Sequence, residues 1–282
     1  MTKRAASLFL LLIFILFTPG CAQKEYTALL CGFCDCVSDI DLVCEYDVWN
    51  QGTFQDDSAP KEVTVTIQGK TVTGYYDYSS CVLQSNYISH RYIGYEPFVM
   101  FDVDSDNNVV FFSMIGSDDG AGEPLTEPQC QAVAKAFLLE HYTDDLSAYR
   151  ITDTLTVGDR YAFTFTKYID GYATADSAYV SVNTNGCVEC VSSHMLGRIN
   201  SKTKINFDMD AVEQAIFSKL DTMYADVKDR YAEITYTVTD TSVTVLRDGT
   251  QAVYCTVDIE CYSQTDTGSQ LMKDHTYQFI VQ

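Results

Sequence analysis

The strongest constraint on this chain is a two-residue rhythm of apolar side chains that begins near residue 62 and returns up to the C-terminus. Residues 62–68 read EVTVTIQ, with Val63, Val65 and Ile67 on one face. Successive side chains of a strand point to opposite faces, so this alternation predicts a half-buried strand. A turn at Gly69 and Lys70 leads into residues 71–78 (TVTGYYDY), which completes a hairpin. Residues 98–103 and 109–114 form a second hairpin across the acidic segment 104–108.

Two stretches break this rhythm with helical spacing. Thr126-Glu127-Pro128-Gln129 offers an N-cap threonine, a proline in the first turn and a glutamine at the third helical position. The helix that follows runs to about Tyr142. Residues 206–230 place Val212, Ile216, Leu220, Met223 and Val227 on one face. Strands are expected at 149–157, 160–169, 177–183 and 187–193 after the first helix. After the second they are expected at 233–246, 251–262 and 275–281, with a kink near Thr239. This alternation predicts an α+β fold: two successive helix-plus-antiparallel-meander units preceded by a small β-hairpin module. The expected divisions are a signal at 1–20, a Cys-rich linker at 21–60, a β-rich module at 61–120 and α+β units at 121–200 and 201–282.

Charge excludes one class of partner. Asp and Glu total 39 against 18 Lys and Arg, a formal charge of -21. A surface that acidic repels phosphate backbones, so no nucleic-acid partner is expected. It is repelled by anionic lipid as well, so membrane attachment needs another source. The N-terminus offers one. Lys3 and Arg4 precede residues 8–17 (LFLLLIFILF), an apolar run that as a helix spans only about half a bilayer core. Thr18-Pro19-Gly20-Cys21 follows, with a small residue directly before a cysteine. That junction resembles the lipobox of bacterial lipoproteins, with Thr18 where the family usually has leucine. The resemblance implies cleavage before Cys21, a diacylglyceryl anchor on its sulfur, and a place on the outer face of the bacterial cell membrane. The same residues also fit an ordinary secretory signal, which gives a secreted protein.

Ten further cysteines accompany this export signal. Cys255 and Cys261 lie six residues apart in one expected strand, about 20 Å, too far to pair with each other. Cys31, Cys34 and Cys36 form a CxxCxC cluster with Cys44 beyond. Three readings stay open for it: disulfides, a thiolate-held metal, or free thiols packed as small hydrophobes.

Residues 161–171 (YAFTFTKYIDG) and 177–186 (SAYVSVNTNG) resemble a PepSY-type domain. In such domains an aromatic-alternating strand runs into a basic-x-x-x-Gly turn, here Lys167 to Gly171. A further strand then ends in an Asn-x-x-Gly hairpin, here Asn183 to Gly186. The resemblance covers residues 126–193 and implies an extracytoplasmic, non-catalytic module that binds or regulates.

Candidate sites are sparse. Asp102, Asp104 and Asp106 begin like a calcium loop, but Asn107 replaces its glycine and Ser113 its closing glutamate. The segment therefore reads as an acidic hairpin turn. None of the four histidines sits in a metal or nucleophile motif, and no phosphate-cradling glycine loop is present. The sequence thus assigns no catalytic residue and no cofactor. It favours a binding module whose sheet edge recruits an extracytoplasmic peptide or protein by strand addition. The competing readings are a thiol-redox or hydrolytic enzyme using Cys31, Cys34 and Cys36, and a structural envelope component.

Overall fold

A computed structural model describes residues 25–34, 40, 42, 45, 53–82, 87–114, 123–193, 199–200, 202, 204–246, 248–266 and 268–282. Cys21, Cys36 and Cys44 lie outside these residues, and of Cys34 only the backbone is described.

The strands are β1 (Ala28–Cys34), β2 (Thr53–Phe54), β3 (Glu62–Ile67), β4 (Lys70–Val82), β5 (Tyr87–Tyr95), β6 (Phe98–Asp104) and β7 (Val109–Met114). Helix α1 (Glu127–His141) follows, then β8 (Tyr149–Val157), β9 (Arg160–Ile169), β10 (Tyr172–Asn183) and β11 (Val188–Ser192). Helix α2 (Met209–Met223) precedes β12 (Glu233–Val245), β13 (Gln251–Thr265) and β14 (Gly268–Val281).

The structure corrects the α+β class expected from sequence. The protein is mostly β, and the fourteen strands among the described residues join into one mixed sheet instead of two separate helix-plus-meander units. The sheet order is β1-β14-β13-β12-β10-β11-β7-β6-β5-β4-β2, with β3 on β4, and with β9 on β10 followed by β8. Three non-local pairings make it continuous: β7 with β11, β10 with β12, and β1 with β14. Periodicity reports which residues form strands and which face they bury, but it carries no information about partners distant in sequence. The sequence also missed β5, whose alternation in YISHRYIGY is hidden by polar residues on both faces.

Strand β10 is the branch point. From Ser177 to Asn183 it pairs antiparallel with β9, and from Tyr179 to Val182 it also pairs with β11. Its register slips between Ala173 and Ser177, and there Thr174 bridges Val243 of β12 in parallel. That one bridge connects the C-terminal strands to the rest.

Each helix covers its own stretch of sheet. At the start of α1 the Gln129 side-chain carbonyl accepts from both the backbone and the hydroxyl of Thr126, each at 2.8 Å, as a Thr-x-x-Gln start allows. Cys130, Ala134 and Leu138, one turn apart, are buried against Phe163, Phe165, Val180 and Val191. Helix α2 is capped by Asp208, which accepts from Ala211 N–H at 3.2 Å. It buries Val212, Ile216 and Leu220 against Val257, Ile259 and Phe279. Its pattern extended to residue 230 in sequence, but the helix stops at Met223. Val227 still enters the core, from a short 3-10 turn rather than the helix itself.

Burial fixes one alkaline dependence. Cys255 is fully buried in the core under α2, and desolvation pushes its thiol up to about 12 from 9.0. Its thiol therefore stays protonated in the fold, whereas the unfolded chain's ionises from about pH 9. The stability contributed by this burial is fully present below pH 9 and is lost toward pH 12, by up to about 1.4 kcal/mol per pH unit. Urea unfolding of wild type and Cys255→Val between pH 9 and 11 measures this, and the variant is expected to lose stability less steeply.

Candidate functional site

The feature best shaped for recognition is a groove between β3 and α1. Its roof is the β3–β4 hairpin, which curls back over the sheet. The curl is possible because Gly74 and Gly94 carry no side chain. A Cβ on Gly74 would meet Phe101 at 2.5 Å, and one on Gly94 would meet Val72 at 2.7 Å. Ile67 is buried, and Val63 and Val65 lean on the same core as Phe101 and Phe112. At the tip, the Gln68 side-chain amide donates to the Val188 carbonyl, which clips the hairpin onto β11.

The opposite wall is the flank of α1. Phe137 stands edge-on to Phe112 at 5.9 Å and lies 4.5 Å from the His141 ring. Two adjoining clefts of about 720 and 750 Å³ share Gln68, Phe137 and His141, and together they form the groove. Its floor includes Val110, Met114 and Val188.

Strand β3 pairs with β4 alone among the described residues, so its other edge faces the groove. The turn residues Gln68 and Gly69, with φ of 50° and 73°, make a two-residue hairpin. Ile67 and Lys70 flank it as a hydrogen-bonded pair, and such pairs alternate along the ladder. The backbone N–H and C=O of Thr64 and Thr66 therefore point away from β4. The Thr64 and Thr73 hydroxyls, 2.9 Å apart, agree with this phase, because non-hydrogen-bonded pairs bring side chains closest. Both Thr64 and Thr66 line the groove. An unpaired edge beside an apolar wall can accept an added strand.

The rim is mainly acidic, with Asp106 and Glu140 against Lys70. Tyr142, at the end of α1, also lines it, and burial pushes its phenol well above the usual value.

The three aspartates of the calcium-like segment do different things. The Asp102 carboxylate accepts from Arg91 Nε at 2.5 Å and from a terminal guanidinium nitrogen at 2.9 Å, which raises the guanidinium's pKa further. The same guanidinium lies 4.6 Å from the Phe111 ring. Asp104 is buried and accepts from the backbone N–H groups of Asp106 and Asn108, both at 2.9 Å, as a turn-forming aspartate does. Asp106 is exposed in that turn. Asp102 and Asp104 are thus engaged in separate local structures. Among the described residues, no three His, Cys, Asp or Glu side chains converge as a metal site would require.

Of the Cys-rich cluster, the structure places Cys31. It is fully buried beside Leu246, Ala252, Tyr254 and Ile280, away from solvent. Cys255 and Cys261 lie on one strand, β13, with both side chains buried.

Lys167, from the basic-x-x-x-Gly turn, is buried and reaches Asp176, which is also fully buried. Lys167 Nζ lies 3.3 Å from one Asp176 oxygen and donates to the Ile199 carbonyl at 2.5 Å. The Tyr149 hydroxyl donates to the other Asp176 oxygen at 2.5 Å. Thr174 donates to the Lys167 carbonyl at 3.0 Å and accepts from Asp176 N–H at 3.3 Å. The network sits where β10 leaves β9 and touches β12. Sequence reasoning missed Asp176 because it began the strand at Ser177. The signal was an aspartate inside the otherwise small and apolar run YATADSAY.

No curated protein matches the sequence. A solved structure, the C-terminal domain of YpeB from Bacillus megaterium, has a TM-score of 0.32 and 10% identity, over 77% of this chain and 91% of that one. This likeness is too distant to carry an argument. Residues 96–190, from just before β6 into β11, match the family model described as the YcdB, YcdC repeated domain (DUF4901).

Proposed function

We propose that the protein is a non-catalytic, extracytoplasmic binding module that captures an extended cationic peptide along β3. The observation that carries this is the free β3 edge, with Thr64 and Thr66 turned into a groove walled by Phe112 and Phe137. Main-chain hydrogen bonds from β3 supply affinity, and alternate side chains of the peptide meet the apolar wall. The acidic rim and the charge of -21 select basic residues at the outward positions. The resemblance of residues 126–193 to a PepSY-type domain supports a binding role.

The edge makes its own test. The Thr66 N–H serves no ladder, so proline there removes one donor from the groove at little cost to the hairpin. An alternating lysine–valine octapeptide is expected to bind wild type and to lose roughly tenfold or more in affinity for Thr66→Pro. The glutamate–valine counterpart is expected not to bind. Equal affinity of the lysine–valine peptide for both proteins, at equal melting temperature, excludes strand addition at β3.

The same proposal places the module on the outer face of the cell membrane through a diacylglyceryl group on Cys21. Support comes from the short apolar run ending at Gly20-Cys21, which resembles a lipobox. In bacterial cells, labelled palmitate is expected to enter the wild-type protein and not Cys21→Ala. Secretion of unlabelled wild type would favour the ordinary signal instead.

A further inference from the structure

A second cleft lies on the face of β9 and β10 opposite α1, and its walls are rich in hydroxyls. Along β9, Phe163, Phe165 and Lys167 face the helix, so Thr164, Thr166 and Tyr168 face outward. Ser177 and Tyr179 of β10 share that face. The junction at Thr174 and Val243 brings β12 alongside, and β12 closes the cleft with Asp240, Thr241 and Ser242. The volume is about 460 Å³, inside the roughly 300–1,000 Å³ span of small-molecule sites.

We propose that this cleft binds an uncharged saccharide. Three observations narrow the ligand to that class. First, no Lys or Arg is in the cleft's lining, Arg150 lying over the Tyr168 ring beside it, and Asp240 is its one carboxylate, so the lining itself does not select an anion. Second, its walls are mostly hydroxyls, which both donate and accept, as the hydroxyls of a sugar do. The Thr152 and Thr166 hydroxyls satisfy each other at 2.9 Å. The hydroxyls of Ser177, Thr241 and Ser242, by contrast, have no hydrogen-bond partner among the described residues. An apolar ligand would leave these partly buried groups unpaired, which is costly. Third, Tyr168 and Tyr179 add two aromatic rings to an otherwise hydroxyl surface. The Arg150 guanidinium, 4.3 Å from the Tyr168 centroid, holds one of them in place. Rings of this kind present an apolar body for the C–H face of a sugar and a hydroxyl for its edge.

The site does not depend on the peptide groove, from which it is separated by the sheet. Its contributors belong to β8–β11 and to β12, so it exists only when β10 and β12 are joined.

The experiment is amide NMR of the full soluble chain with cellotetraose, maltotetraose and N-acetylchitotetraose, each at about 10 mM, enough to occupy a millimolar site. At least one sugar is expected to shift the amides of Thr166, Ser177 and Thr241 together. Thr241→Val and Tyr179→Ala, both partly exposed and outside the cores, are each expected to weaken that binding roughly threefold to tenfold. Absence of shifts with all three sugars overturns the proposal. Shifts confined to other surfaces overturn it too, as does binding that neither variant changes while both keep the wild-type melting temperature.

Discussion

Asp176→Ala is expected to destabilise the protein by about 3–5 kcal/mol, a large effect for a single polar substitution. The reason is what it leaves behind. Lys167 stays buried, with the Ile199 carbonyl and the face of Tyr149 as its surroundings and its counter-charge gone. The Tyr149 hydroxyl loses its acceptor at the same time. A buried charge without its partner costs far more than the pair was worth, because desolvation has already been incurred. The double replacement Lys167→Met with Asp176→Leu removes both charges and is expected to recover most of the loss. Chemical denaturation of the three proteins measures this. If the single variant falls by less than about 1 kcal/mol, the pair is not buried as described. The network also sits at the bridge that joins β10 to β12, so Asp176→Ala is expected to speed hydrogen exchange in β12 before β9.

Gly74→Ala is expected to cost about 1–3 kcal/mol and to open the peptide groove. The added methyl has nowhere to go. It would lie 2.5 and 2.6 Å from two atoms of the Phe101 ring and 2.8 Å from Tyr92 Cβ. Phe101 cannot step aside, because it is fully buried and stacked on Tyr92 at 5.6 Å and 16°. The hairpin must therefore lift, which pulls Ile67 from the core and Gln68 from Val188. The variant should lose peptide binding and thermal stability together, whereas Thr66→Pro should lose binding alone. That contrast separates a groove that needs its roof from one that needs only its edge. A melting temperature unchanged by Gly74→Ala would mean the hairpin does not press on Phe101.

Much of the local structure was legible. The first helix begins after its expected cap, Thr126, whereas the second starts only after Asp208, inside the stretch expected from residue 206 and behind a cap the pattern did not single out. Strands β8, β9 and β11 were read within a residue or two, and the kink expected near Thr239 is the slip between Val238 and Asp240. The two proposed binding surfaces were not legible. The groove needs β3 to lie beside α1, some seventy residues later, and that follows from how Gly74 lets the hairpin curl. The hydroxyl cleft needs β12 to meet β10. Its threonines alone look like any solvent face of a strand.

The order of side chains fixed what each segment is and which face it buries, since those depend on neighbours two, three or four positions away. Whether two meanders stay apart or merge into one sheet depends on a bridge between Thr174 and Val243. Backbone groups make that bridge, and every residue except proline carries the same ones, so only packing in three dimensions could select it.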